Sequence, residues 1–188
     1  MIIGLTGPKS SGKTSVAKVL EGVYGFSRRS FSSPIKGMLE TMGVPIKYLY
    51  DPDYKETTVP GFGKSAREMM QSLGSEWGRA LVSRDVWCKA LERRIEGARE
   101  DIVVDDLRFP NECAMIHALK GVVVKVHRPS LVQDDHSSEM GVPPSDIDAE
   151  IRNLSCYLPD LRAAVVDFME TGKYGNVHAT KPKRFANI

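Results

Sequence analysis

One octapeptide constrains this chain more than any other feature. Gly7-Pro8-Lys9-Ser10-Ser11-Gly12-Lys13-Thr14 fits the pattern G-x-x-x-x-G-K-[ST] in full. The short apolar run from Met1 to Leu5 precedes it, and Lys13 to Glu21 follows with helical spacing, placing Val16, Ala17 and Leu20 on one face. The physics of anion binding requires each part. Glycines let the backbone turn tightly, so that successive N–H groups converge on phosphate oxygens. The following helix turns its positive dipole end to the same anion. On this pattern Lys13 contacts the β- and γ-phosphates of a nucleoside triphosphate, and the Thr14 hydroxyl is a candidate ligand for Mg²⁺. Gly7, Lys9, Ser11, Gly12, Lys13, Thr14 and Ser15 form the expected ATP cradle.

Beyond this P-loop, short continuously apolar strands alternate with helical patterns. Strands are expected over Met1–Thr6, Phe26–Phe31, Ile102–Val104, Gly121–Val126 and Ala149–Asn153. Helices are expected over Lys13–Glu21, from Ser33-Pro34 onward, and over Ser65–Ser72, Glu76–Leu81, Asp85–Gly97, Asn111–Leu119 and Asp160–Met169. Gly43 to Gly63, rich in Pro, Gly, Tyr and Asp, reads as irregular. Such alternation predicts an α/β fold, a P-loop NTPase-like parallel sheet covered by helices on both faces. Roughly 65 residues separate the second and third strands, where a crossover needs only about a dozen. The excess predicts an inserted helical lobe, about residues 36–98, within a single domain spanning 1–188. The polar stretch 128–144 predicts a short lid.

Composition narrows the class. Lys and Arg total 26 against 24 Asp and Glu, which does not favour a nucleic-acid partner, where a strongly basic stripe is expected. Cys88, Cys113 and Cys156 show no metal-ligand or disulfide spacing and read as free thiols of a reducing cytosol. No apolar run approaches the roughly 18 residues a membrane span needs, so a soluble cytoplasmic protein is expected. The chain has no N-K-x-D tetrad for reading guanine, and its length and near-neutral charge weigh against a helicase. A homodimer stays open.

Further candidates surround the cradle. Asp105 and Asp106 end the third strand, at the edge where parallel sheets bind ligands. A carboxylate there can hold a metal's water shell or cap the next turn; Asp105 is the preferred metal and catalytic candidate. Arg67 and Gln71 lie one helical turn apart in the lobe. A guanidinium fork matches a phosphate and an amide can read a base edge, although the same pair suits a solvated helix face. Arg128 opens the polar loop holding Asp135, His136, Ser138 and Glu139, and can close over transferring phosphates. His136 reads as a structural hydrogen-bonder.

These residues fall into ordered blocks: Gly7–Thr14, Ser30–Lys36, Arg67–Arg79, Val104–Glu112, His127–Pro129, His136–Glu139, Ile151–Asn153 and Leu161-Arg162. With them the chain resembles the phage-type deoxynucleoside monophosphate kinases, of the wider nucleoside monophosphate kinase group, from the P-loop to about residue 170. Ser32-Ser33 departs from that family's pattern, which has a small residue followed by Asp. The resemblance implies an ATP-binding core, a lobe for the acceptor monophosphate, and a short lid. It implies that Lys36, Arg67, Gln71 and Arg79 face the acceptor and that Arg128 belongs to the lid. The expected small-molecule partners are thus ATP and a dNMP, and the phage-type resemblance would place the protein in the cytoplasm of a host cell. Two rivals share the P-loop: a kinase for another small acceptor, such as dephospho-coenzyme A or phosphomevalonate, and a nucleotide-binding module without transfer activity.

Overall fold

A computed structural model describes residues 1–129, 142–154 and 157–172. Two compact units make up the chain, one formed by Met1–Ser30 together with Ile95 onward, the other by Phe31–Arg94.

The first unit is built on five parallel strands: β1 (Ile2–Thr6), β2 (Ser27–Arg29), β3 (Ile102–Val104), β4 (Val122–His127) and β5 (Ala149–Arg152). Their order in the sheet is β2-β3-β1-β4-β5. β1 is central, with Gly4 paired to Val104 on one side and Val123 on the other. Its side chains alternate between faces. Ile3 and Leu5 join a core with Val16, Ala17 and Leu20 of α1 (Lys13–Tyr24) and Leu161, Val165 and Phe168 of α7 (Leu158–Thr171). Each fully buried aliphatic side chain there contributes about 1.5–3 kcal/mol. Gly4 faces the other way, toward α6 (Pro110–Ala118). A Cβ at Gly4 would stand 2.7 Å from Leu107 and 3.2 Å from Ile116, so glycine lets that face close on the strand. Helices thus cover both faces of the sheet.

The second unit holds α2 (Ser33–Thr41), α3 (Ile46–Tyr50), α4 (Ala66–Gln71), a π-helix over Ser72–Val82 and most of α5 (Val86–Ile95). Leu39, Val44, Tyr48, Leu49, Val59 and Ala66 form its core. Two expectations change here. The stretch 43–63 is not wholly irregular, because Pro45 enters α3 in extended geometry and Tyr48 and Leu49 are buried. What remains irregular is tied by a tight turn in which Val59 N–H donates to the Lys64 carbonyl at 2.9 Å, with Gly61 and Gly63 at φ +84° and +68°. The helices expected at Ser65–Ser72 and Glu76–Leu81 are one continuous run. Gly74 and Gly78 do not break it, since both lie against Trp87 of α5. The Trp87 indole N–H donates to the Gly74 carbonyl at 2.8 Å, and a Cβ on Gly78 would meet the ring at 2.4 Å. The second strand is also shorter than Phe26–Phe31, because Phe26 and Phe31 are buried as core anchors on either side of it.

Most of the expected lid, with Asp135, His136, Ser138 and Glu139, lies outside the described residues. So do Cys156 and residues 173–188.

Candidate active site

The G-x-x-x-x-G-K-T segment links β1 to α1 as a left-handed cradle. Gly7, Ser10 and Gly12 sit at φ +136°, +64° and +109°. Two of these positions need glycine for space as well as conformation. A Cβ on Gly7 would lie 2.4 Å from the Val126 carbonyl oxygen, and one on Gly12 would lie 2.7 Å from Asn153 Nδ2. Helix α1 starts at Lys13 with no side-chain cap and no acidic residue in its first turn. Its first N–H groups therefore remain available to an anion.

Lys13 folds back over the loop. Its Nζ donates to the carbonyls of Gly7 and Pro8, each at 2.6 Å. Arg128, following β4, reaches the same loop, with Nη1 donating to the Ser10 carbonyl at 3.2 Å. Asn153, following β5, donates from Nδ2 to the Ser11 carbonyl at 2.9 Å. The Ser11 hydroxyl is buried with no hydrogen-bond partner among the described residues. A cleft of about 460 Å³ opens beside the loop, lined by Ser10, Gly12, Lys13, Thr14 and Ser15, with Arg128, Asn153, Tyr157, Leu158 and Leu161 on its other side. Tyr157 and Leu158 are 67% and 60% exposed. One end of this cleft is therefore an anion cradle and the other is aromatic and aliphatic. A nucleotide, with its phosphates and its base, has that polarity.

Two carboxylates stand at the end of β3. Asp105 is buried and forms an ion pair with Arg28 of β2. Asp106 is half-buried and accepts from Ser30 Oγ at 2.8 Å. The turn beyond them is anchored to β1, with Leu107 N–H donating to the Leu5 carbonyl at 3.3 Å. Glu112, 1% exposed, accepts from the N–H groups of Arg108 and Phe109 at 2.7 and 3.0 Å. The cradle fits a triphosphate chain, given its free helix N-terminus and the Cβ-sized spaces that only glycine leaves. Thr14 is exposed at the first turn of α1 and offers its hydroxyl to a metal. Asp105 would have to share its carboxylate with Arg28.

The second unit carries the other candidates. Lys36 lies with Nζ 4.3 Å from the Tyr50 ring centroid. Arg67 is half-buried on α4, its Nε 3.7 Å from Glu56. Helix α4 is fixed by a capping box: Glu68 N–H donates to Ser65 Oγ at 3.2 Å, while Ser65 N–H donates to Glu68 Oε2 at 2.8 Å. Hydrogen bonds from the Ser65 backbone N–H and then the Ser65 hydroxyl hold the Glu68 carboxyl below its ordinary pKa. Gln71 is exposed at the end of α4. Arg79 Nη1 donates to the Arg84 carbonyl at 3.4 Å. Arg28, Tyr157 and Leu158 are not among the site residues expected from the sequence. Arg28 sits in a strand too short to show a period, and Tyr157 and Leu158 lie just before the helix expected at Asp160–Met169.

A family model described as deoxynucleotide monophosphate kinase matches residues 56–163, more than half of the chain. The chain belongs to the deoxynucleotide monophosphate kinase family. Two curated relatives accord with this. A putative deoxynucleotide monophosphate kinase of Acanthamoeba polyphaga mimivirus is 28% identical over 175 residues, covering 84% of this chain and 85% of the relative. The deoxynucleoside-5'-monophosphate kinase of Escherichia phage T5 is 31% identical over 115 residues, covering 56% of this chain and 46% of that protein. The match thus spans just under half of the phage protein. Among solved structures, shikimate kinase from Aquifex aeolicus aligns with a TM-score of 0.55 at 13% identity, covering 94% of this chain and 100% of that one. Dephospho-CoA kinase from Campylobacter jejuni aligns with a TM-score of 0.52 at 16% identity, covering 93% and 98%. At such identities the likeness is one of fold, the α/β P-loop kinase fold. Membership of the deoxynucleotide monophosphate kinase family makes the chain a phosphotransferase acting on nucleotide monophosphates. Among the described residues no helix is long and apolar enough to cross a membrane.

Proposed function

We propose that the protein transfers the γ-phosphoryl group of ATP to a deoxynucleoside monophosphate, giving ADP and a dNDP. The observation that carries this reading is the cradle. Three left-handed residues, an uncapped helix start and the Lys13 ammonium all serve a polyphosphate, in a chain of this family. The apolar end of the cleft, at Tyr157, Leu158 and Leu161, suits the donor's base.

The acceptor's attacking group is a phosphate oxygen, already ionised at neutral pH, so no side chain needs to take a proton from it. The catalytic burden is alignment of two polyanions and cancellation of their repulsion. Lys13 exchanges its two backbone carbonyls for phosphate oxygens, and Arg128 brings a second cation over the same loop. Bound Mg²⁺ would supply charge neutralisation across the donor phosphates, with Thr14 and Asp105 as its candidate protein partners. Lys36, Arg67, Gln71 and Arg79 hold the acceptor, Arg67 gripping its phosphate and Gln71 reading its base edge. The expected organisation, a single kinase domain with an acceptor lobe at about 36–98 and a lid at about 128–144, belongs to the same proposal. The dephospho-CoA kinase likeness is one of fold and adds no weight to a different acceptor.

A coupled assay of ADP release with a panel of ribo- and deoxyribonucleoside monophosphates tests this. Turnover is expected with at least one dNMP, and loss of at least a hundredfold in Lys13→Ala, about 2.7 kcal/mol, with little change in melting. No turnover with any dNMP, or near-normal turnover in Lys13→Ala, would overturn the reading.

A further inference from the structure

Asn153 has no place in the chemistry above, yet it is buried against the cradle and bonded at both its backbone and its side chain. It is 6% exposed. Its backbone N–H donates to the His127 carbonyl at 2.7 Å, continuing the β4–β5 ladder one step past the His127–Arg152 pair. The residue is therefore anchored in the sheet, and its side chain points at the loop. Nδ2 donates to the Ser11 carbonyl, and the same nitrogen fills the space where Gly12 lacks a Cβ. The orientation of the amide follows from its partner, since only the NH₂ group can satisfy a carbonyl oxygen.

A cradle that presents N–H groups to an anion must turn its carbonyls outward, and outward carbonyls need donors. Two successive ones have them here. The Ser10 carbonyl receives Arg128 and the Ser11 carbonyl receives Asn153. These two donors differ in kind. Arg128 is half-buried on a long side chain and can leave the loop for a phosphate. Asn153 is short, buried and fixed at both ends. The loop's own conformation needs such support, because Ser10 is a left-handed non-glycine residue and the Ser11 hydroxyl makes no compensating bond among the described residues.

We infer that Asn153 is a positioning residue for the phosphate donor: its side-chain amide holds the Ser11 carbonyl outward, so that the cradle is set for the triphosphate before the triphosphate arrives. The inference rests on the reading of this loop as the ATP site. It assigns Asn153 no contact with the reacting atoms. Without the amide, ATP itself must organise the loop, and the loss appears as weaker donor binding rather than a slower chemical step.

The test uses the full-length enzyme with Asn153→Leu, similar in size but without a donor. Kinetics are read for both substrates, together with inhibition by inorganic tripolyphosphate as a probe lacking base and sugar. The expected result is a KM for ATP and an inhibition constant for tripolyphosphate each raised at least tenfold. KM for the dNMP should stay within twofold and kcat at saturating ATP within threefold. Asn153→Gln, which retains the amide, should recover part of the donor affinity. Should Asn153→Leu not fold, Asn153→Ser, too short to reach the Ser11 carbonyl, carries the same expectations. A normal ATP KM, or equal rises in KM for both substrates, would overturn the inference, leaving Asn153 as packing alone. Lys13→Ala in parallel separates the two readings. If its tripolyphosphate affinity is unchanged, the loop is not the donor site, whatever Asn153 does.

Discussion

Arg28 and Asp105 form an ion pair across two neighbouring parallel strands, with the carboxylate buried and the guanidinium half-exposed. The pair joins the end of β3 to β2, where Arg28 is in register with Val103. Burying a carboxylate is costly unless it is paired and hydrogen-bonded. Arg28 therefore supplies the partner that the buried Asp105 carboxylate needs.

A prediction about the metal follows from that arrangement. Asp105→Asn should raise the Mg²⁺ concentration for half-maximal rate at least tenfold, and should reduce turnover more than Asp106→Asn, whose carboxylate is held by Ser30. Magnesium titrations of the two variants measure this directly. A lowered melting point in Asp105→Asn with an unchanged magnesium requirement would mean that Asp105 serves only to hold Arg28.

The proposed acceptor site is tested at Arg67. Its present partner, Glu56, is an exposed carboxylate at 3.7 Å, and such a surface pair contributes about 0–1 kcal/mol. Exchanging it for a substrate phosphate costs little. Arg67→Ala should raise KM for the dNMP at least tenfold, since a charge-assisted bond contributes about 1.5–3 kcal/mol, and should leave KM for ATP within twofold. Initial-rate kinetics with each substrate varied in turn decide it. Equal, unchanged constants would return Arg67 to an ordinary surface role.

Glycines of this chain divide by what a Cβ would meet. Gly7→Ala should abolish donor binding, because the methyl group would press on the Val126 carbonyl at a backbone angle only glycine adopts easily. Gly22 lies within α1 with nothing within 4 Å of a built Cβ. Gly22→Ala should raise stability by about 0.5–1 kcal/mol, read as a higher melting midpoint with unchanged kinetics. A drop in melting point would show that the helix is not as described there.

Cys113 offers a prediction in pH. Burial, with Asp146, Glu112 and Asp148 adding negative charge nearby, pushes its thiol up to about 12. The nucleophile is the thiolate, so the native protein should resist iodoacetamide at Cys113 from pH 7 to well above 9, whereas the unfolded chain reacts from about pH 8.5. For a thiol raised on folding, stability is present below the unfolded value and declines as pH rises through the folded one. Peptide mapping after alkylation reads the result, and rapid native labelling at pH 8 would contradict it.

What the sequence determined by itself is mostly local. The octapeptide at Gly7–Thr14 specifies a strand–turn–helix with an anion site because its glycines, lysine and threonine act through backbone geometry within a few residues. The apolar runs Ile102–Val104 and Val122–Val126 likewise declare buried parallel strands. Helix α3 was not legible, since five residues are too few to show a period; it forms because Tyr48 and Leu49 find a core. Nor did Gly74 and Gly78 look like helix interior, until Trp87 supplied a donor to the Gly74 carbonyl and a ring that leaves no room for a Cβ on Gly78. Donors to the Ser10 and Ser11 carbonyls come from Arg128 and Asn153, more than a hundred residues from the loop they hold. Only the crossover connections of the sheet, which set β4 beside β1 and β5 beside β4, bring the residues after β4 and β5 to the loop that follows β1. Sequence states which groups exist and their local period. Which carbonyl meets which amide, and which carboxylate meets which guanidinium, depends on strand order and register, and these are settled by burying the whole core at once.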